Sequence, residues 1–181
     1  QTLLAQAFVR ALAMAPALRP VLRLVMVGDG PLREASQQIL QAAGVAELAW
    51  LPGGRDDVAD VMRSLSCFVL PSMGEGISNT ILEAMASGLA VVAFDDAAAS
   101  EHIRHEDNGM KAQLSNDEGF VDHALRLADQ PTLMNRVRAQ ARLDALDLNW
   151  AAQVEQFEHL ILNQPLRNSY NALHKQGISL L

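Results

Sequence analysis

Aromatic residues are scarce in this chain, at 4%, so it lacks the stacking platforms on which single-stranded nucleic acids bind. An excess of positive charge is missing too. Lys and Arg number 14 against 21 Asp and Glu, a net charge of −7, which opposes a nucleic-acid partner held by phosphate contacts. Cysteine occurs once, as Cys67. It cannot form an internal disulfide, and within an apolar run it reads as a small buried hydrophobe in a reducing compartment. No apolar run approaches the roughly 20 residues of a membrane helix, and no signal peptide is visible.

What the chain does have is apolar surface to bury. Half of its 181 residues are apolar, which suits one globular domain that buries roughly 70% of its unfolded surface. There is no internal repeat and no low-complexity tract. The chain starts at Gln1, already inside the amphipathic pattern QTLLAQAFVRALAMAPAL. We therefore expect a piece of a longer protein, truncated at its N-terminus.

Strand-like runs alternate with helical patterns. Residues 2–17 read as a helix and Val21–Gly28 as a strand. A GDGP turn follows, with Pro31 at a first helical position, where a missing N–H costs nothing. LREASQQILQAAG is a helix that Gly44 ends. Glu47–Gly53 is a short strand, and Asp56 can cap the helix DVADVMRSLS. CFVLPS, residues 67–72, is the next strand. Asn79–Ser87 is a helix closed by Gly88, and Leu89–Phe94 is the most apolar strand. A helical piece over Ser100–Arg104 and an Asn108-Gly109 turn lead to a last strand, GMKAQL. Helices alone follow, to about residue 164, with joints at Pro131 and Asn149, and 165–181 reads as a loose tail. Continuous apolar strands with intervening helices indicate the α/β class, with a parallel sheet covered by helices on both faces.

The segment EGISNTILEAMASGLAVVAF, Glu75–Phe94, carries the most chemistry. Pro71 and Ser72 end a central strand at its carboxyl edge. The peptide N–H groups of Gly76, Ile77 and Ser78 then lie at or just before a helix N-terminus, where open donors and the helix dipole favour an anion. Ser78 or Asn79 can cap that helix. Glu83, four residues after Asn79, shares its face. A carboxylate one turn from a phosphate cannot hold that phosphate, but it accepts hydrogen bonds from hydroxyls such as those of a ribose. Glu75 can do the same for a hexose. Glu83 stands among apolar and small residues, where a lone charge needs a partner. The pattern alone leaves open whether that partner is a ligand or a buried structural hydrogen bond.

Other candidates carry less. Asp95-Asp96 lacks the spaced carboxylate pair of a metal-dependent sugar transferase and reads as a cap or turn. His102 and His105 make half a zinc site, and a solvated face explains them. GDGP lacks the third glycine of a dinucleotide fingerprint. Arg136, Arg138 and Arg142 read as a solvated helix face, and the Leu, Met and Val stripe beside them as core.

As a set, VMVGDGP, WLPGGRDDVADVMRSLSCFVLPS, EGISNTILEAMASGLAVVA and DNGMKA resemble the retaining, nucleotide-sugar-dependent glycosyltransferases of family 4, the bacterial polysaccharide "group 1" type. The resemblance runs from about Leu22 to about Gln164. It implies the Rossmann-like C-terminal, donor-binding domain of a GT-B fold, spanning residues 1–164. By carry-over, Glu75 would contact the transferred sugar near the reacting face. Gly76, Ile77, Ser78 and Asn79 would approach the sugar and diphosphate, and Glu83 would hold the ribose. Leu51–Gly53, with Arg55, would border the nucleobase.

The family's Arg and Lys for the leaving diphosphate, and its acceptor domain with a catalytic-site His, lie upstream of Gln1, so this chain alone is expected to be inactive. Ser78 stands where a second glycine is common, Ala90 replaces a frequent proline, and Glu101 fits the family's later glutamate. The implied protein transfers a hexose from a nucleotide-diphosphate sugar to a glycan or lipid-linked acceptor, with no metal and no resident cofactor. It would work in the cytoplasm, with peripheral contact at the membrane's inner face open to it. Two alternatives stay open: a different GT-B enzyme, such as a nucleotide-sugar epimerase or phosphorylase, and a non-catalytic flavodoxin-like binding module. A phosphoacceptor receiver is disfavoured, because the central strand ends in Pro71-Ser72 and not in an aspartate.

Overall fold

A computed structural model of the chain describes residues 1–72, 74, 79–148 and 154. The chain divides into two compact units, Gln1–Ala145 and Leu146–Leu181. The first holds the strands. The described elements run, in order, α1 (Thr2–Met14), β1 (Leu24–Val27), α2 (Arg33–Ala42), β2 (Ala49–Gly53), α3 (Val58–Ser64), β3 (Cys67–Leu70), α4 (Asn79–Ala86), β4 (Ala90–Phe94), α5 (Ala97–His102), β5 (Met110–Ala112), α6 (Asp117–Asp129) and α7 (Pro131–Asp147). The helix expected after Asn149 and the tail over 165–181 lie outside the described residues, Val154 apart.

Every strand pair is parallel, and helices cover both faces. β4 shows why its sequence is an unbroken apolar run. Val91 and Ala93 face a core built with Met62 of α3, Ile81 and Met85 of α4 and Ile103. Ala90, Val92 and Phe94 face the opposite core, with Phe120 and Leu127 of α6 and Val137 of α7. Alternate side chains point to opposite faces, so a strand covered on both sides is apolar throughout. A third cluster joins Phe8 and Leu12 of α1 to Leu24 of β1 and Leu40 of α2.

The strands form two sheets, β1–β2 and β3–β4–β5. β1 and β3 are each bonded on one side only, and both line a cavity of about 860 Å³. Their side chains are accordingly half-buried, Leu24 excepted, whereas β4, flanked on both sides, is buried along its whole length.

Local chemistry sets the element ends. Gly44 and Gly88 adopt φ +63° and +75° just past α2 and α4, the left-handed region where a side chain is strained. Asp96 caps α5 by accepting the Ala99 N–H at 2.8 Å. That cap starts the helix three residues before the expected Ser100. Asp56 is not the cap of α3. Asp57 holds that position, and its carboxylate is occupied by Arg55 instead of a helix N–H. Arg136 and Arg138 are not simply solvated. Their guanidinium groups donate to the carbonyls of Glu106 (2.9 Å) and Gly88 (2.7 Å), tying α7 to two turns. Of the Leu, Met and Val stripe expected in the core, Leu133 and Val137 are buried and Met134 is half-buried, while Leu143 and Leu146 are exposed.

The Asn108-Gly109 turn is the tightest knot in the unit. Asn108 is fully buried. Its Oδ1 accepts the Arg104 N–H at 2.7 Å, and its Nδ2 donates to the His102 carbonyl at 3.0 Å and to Asp144 at 2.6 Å. Asp144 also accepts from Gln140 (2.9 Å) and Arg104 (2.8 Å). Burial opposes ionisation of Asp144, but the hydrogen bonds from Gln140, Asn108 and Arg104 outweigh it and hold the carboxyl below its usual range. A depressed folded value means this contribution to stability is complete above the ordinary aspartate range near pH 4. It is lost as pH falls through the folded value. Urea unfolding followed from about pH 6 to pH 2 should show Asp144→Asn losing less stability on acidification than the parent. Parallel profiles would contradict this role.

Candidate functional site

Because the strands within each sheet are parallel, the turns after β1 and β2, and those after β3 and β4, open on the carboxyl edge of their own sheet, where open α/β sheets bind ligands. After β1, Gly28 takes φ +121° and its N–H donates to the Gly53 carbonyl at 2.8 Å. The Asp29 carboxylate accepts the Gly54 N–H at 2.9 Å. Gly53 has φ +86°, and a Cβ built on it would lie 3.0 Å from Asp29 Oδ1. The positive φ favours glycine there, and a Cβ would in addition crowd the Asp29 carboxylate. Arg33, at the start of α2, donates to the Leu51 carbonyl at 2.9 Å. The Leu51–Gly53 backbone is thus pinned to the preceding turn by two side chains.

Arg55 belongs to the same corner. Its guanidinium sits 5.1 Å from the centre of the Trp50 ring, within cation–π range. It grips Asp57 through two hydrogen bonds of 2.6 and 2.5 Å. That grip holds the Asp57 carboxyl below its usual range. Trp50 is 46% exposed, an unusual use of one of only two tryptophans. The sequence singled out Leu51, Gly53 and Arg55, and the structure joins Asp29, Trp50 and Asp57 to the same corner. An exposed tryptophan beside an arginine, in an aromatic-poor chain, was the available signal for Trp50.

β3 delivers Pro71 and Ser72, both half-buried, to the carboxyl edge of its own sheet. The expected Glu75, Gly76, Ile77 and Ser78 lie outside the described residues. Asn79 opens α4 and is exposed. Glu83 follows one turn later and is exposed as well, while Ile81, Ala84 and Met85 of the same helix are buried. Of the two partners the sequence left open for Glu83, a ligand or a buried structural hydrogen bond, its exposure disfavours the second. The helix turns its apolar residues inward and leaves Glu83 outside, next to Asn79. Among the described residues the Glu83 carboxylate has no side-chain hydrogen-bond or ion-pair partner.

At the end of β4 the two aspartates divide. Asp96 is the cap of α5, as expected. Asp95 pairs with Lys111 at 2.8 Å and with the Ser100 hydroxyl. Hydrogen bonds from Lys111 and then Ser100 hold its carboxyl below the usual range. His105 accepts the Lys111 N–H at 3.0 Å and meets the His123 ring edge-on at 5.0 Å. Among the described residues no group of three His, Cys, Asp or Glu could hold a metal ion. Cys67 lines the cavity beside β3, and burial pushes its thiol up to about 12, far from a nucleophile's range.

Comparison with known proteins places this geometry in context. The family model "Glycosyl transferases group 1" matches residues 1–130. The lipopolysaccharide core biosynthesis glycosyltransferase LpsE of Rhizobium meliloti (strain 1021) is 29% identical over 138 residues, covering 70% of this chain and 41% of its own. An Escherichia coli UDP-Gal:alpha-D-GlcNAc-diphosphoundecaprenol alpha-1,3-galactosyltransferase is 28% identical over 110 residues, 60% of this chain and 28% of its own. The C-terminal domain of the group 1 glycosyl transferase LpcC from Francisella tularensis superposes with TM-score 0.70 at 22% identity, covering 79% of this chain and 77% of that one. S. aureus TarM, solved in complex with UDP, gives TM-score 0.78 at 20% identity over 90% of this chain and 32% of that one. The chain spans less than half the length of the curated relatives it matches.

Proposed function

The chain belongs to the glycosyl transferases of group 1, and from that premise we propose that it is the donor-binding half of a retaining enzyme. In this reading the whole protein moves a hexose from a nucleotide-diphosphate sugar to a glycan or lipid-linked acceptor, without a metal ion. The observation that carries the reading is Glu83, an exposed carboxylate on the first turns of α4 that pairs with no side chain among the described residues, at the carboxyl edge of a parallel sheet. A ribose offers vicinal hydroxyls, and a carboxylate is the acceptor that fits them. The pinned Leu51–Gly53 backbone and the Trp50–Arg55 pair supply a rigid border with an aromatic face for the nucleobase. UDP in the complex with TarM, and the UDP-linked name of the E. coli relative, make a uridine nucleotide the first donor to try.

Glu75 is assigned to the transferred sugar, and the amides of Gly76, Ile77 and Ser78 to the diphosphate, where donors at a helix start meet negative charge. This division of labour makes a kinetic prediction. In the whole protein, Glu75→Ala lowers turnover at saturating donor by roughly 10²-fold or more while changing nucleotide affinity little, as for a group acting chiefly in the transition state. Steady-state kinetics with a nucleotide-sugar and a glycan acceptor measure it. An unchanged rate at saturating donor would remove Glu75 from the reacting centre.

A further inference from the structure

We propose that His105 and His123 form a pH-sensitive latch on the open edge of β5, closed while both rings are neutral and released when the pair takes up a proton. This does not depend on the donor reading. Among the described residues β5 is an edge strand, bonded only to β4. On the β4 side the Ala112 carbonyl accepts the Asp95 N–H at 2.8 Å. Neighbouring peptide groups in a strand point to opposite sides, so the Lys111 N–H faces away from β4. No strand among the described residues meets it there, and His105 Nδ1 accepts it at 3.0 Å. The imidazole thus supplies a bond that a further strand would otherwise make. The turn that it closes holds Glu106 at φ +63°, a region that a residue with a side chain seldom adopts.

An imidazole nitrogen accepts a hydrogen bond only while it carries no proton. The closed latch therefore requires the neutral ring of His105, with its hydrogen on Nε2. The neighbours decide what a further proton does. His123, on α6, meets the His105 ring edge-on with centroids 5.0 Å apart. Arg126 lies one turn further along α6, Lys111 of β5 pairs with Asp95 of β4 at 2.8 Å, and Arg136 of α7 donates to the Glu106 carbonyl at 2.9 Å. Against these cations stand Glu106, Asp95 and the exposed Asp122 of α6. Glu106 Oε1 is 3.8 Å from His105 Nε2, and the hydrogen bond from Arg126 holds the Glu106 carboxyl below its usual range. His123 is half-buried. Burial, then His105 and Arg126, hold its imidazole below the usual histidine range. A depressed folded value means that this contribution to stability is present above the ordinary histidine value of about 6.5. It is lost as pH falls through the folded value. A proton on His105 Nδ1 meets the Lys111 N–H donor to donor, so the ring must leave the strand, and Glu106 offers it a counter-charge. A proton on His123 adds a positive charge beside the same ring. Both events act on the one bond, next to the Asp95–Lys111 pair at the carboxyl edge of this sheet.

The test is amide hydrogen exchange of the protein from about pH 7.5 to about pH 5, expressed as protection over the intrinsic rate, beside NMR titration of the two imidazoles. Protection at Lys111 falls at least about tenfold on acidification, with a midpoint shared by one of the rings, while protection at residues 91–93 of β4 stays constant. In His105→Asn the side-chain oxygen accepts the same N–H and does not titrate, so protection at Lys111 persists on acidification. Unchanged protection at Lys111 in the parent overturns the proposal. So does a fall that β4 shares, which is general unfolding, a fall whose midpoint matches neither ring, or an equal fall in His105→Asn. The comparison within the parent decides the matter even where His105→Asn does not fold.

Discussion

Replacing Asn108 by alanine should destabilise the first compact unit by about 2–4 kcal/mol, because two backbone groups and a carboxylate lose a buried partner at once. The side chain is fully buried and serves the Arg104 N–H, the His102 carbonyl and Asp144. The groups left behind are part-buried, and the Asp144 carboxylate keeps only its bonds from Gln140 and Arg104. Urea denaturation measures the loss, with an unchanged slope and a lowered midpoint. A loss below about 1 kcal/mol, the size of one ordinary hydrogen bond, would show that the network is not a unit. Gly109 stands beside it for a steric reason. A Cβ there would lie 2.7 Å from Ile103 Cγ2 and 3.2 Å from the Val91 carbonyl. The Asn-Gly pair is thus one device: asparagine satisfies the turn, and glycine lets it press against β4.

Glu83→Ala should weaken nucleotide binding by about 1–3 kcal/mol, the range for hydrogen bonds to a charged acceptor. The fold should be unaffected, since the side chain is exposed and makes no hydrogen bond or ion pair among the described residues. That separation is what makes the substitution informative. A lost affinity with an unchanged urea midpoint identifies a ligand contact. Equal affinity of parent and variant would end the assignment of Glu83 to the ribose.

Period-two and helical patterns made most of the architecture legible. The run over Leu89–Phe94 announced a strand covered on both faces, and Gly44 and Gly88 announced the ends of α2 and α4. Asp96 was readable as a cap because its effect is local. What escaped was long-range. Arg138 reaches the carbonyl of Gly88, 50 residues away, and Asp144 meets Asn108 across 36 residues. No spacing along the chain announces such a pair, so the arginines looked solvated. The division into two sheets escaped for a different reason: hydrophobic patterning shows that a strand exists, not which edge lies beside it. The partner of Glu83 stayed open in the sequence because its neighbours there are apolar, whereas its helix points them inward and leaves Glu83 exposed. At the site, Leu51, Gly53 and Arg55 came from the resemblance. Asp29 and Trp50 needed the fold, since Asp29 acts on Gly54 through a bond between two separate turns.

The central claim is that this carboxyl edge binds the nucleotide of a sugar donor. Amide NMR of the protein, titrated with UDP, GDP, ADP and their sugar conjugates beside Glu83→Ala, tests it most directly. The account predicts that one nucleotide moves the resonances of Gly53–Arg55 and of Gly76–Glu83 together, and that the variant loses most of the effect. No response to any nucleotide at millimolar concentration, or a response confined to residues away from these two turns, would contradict it.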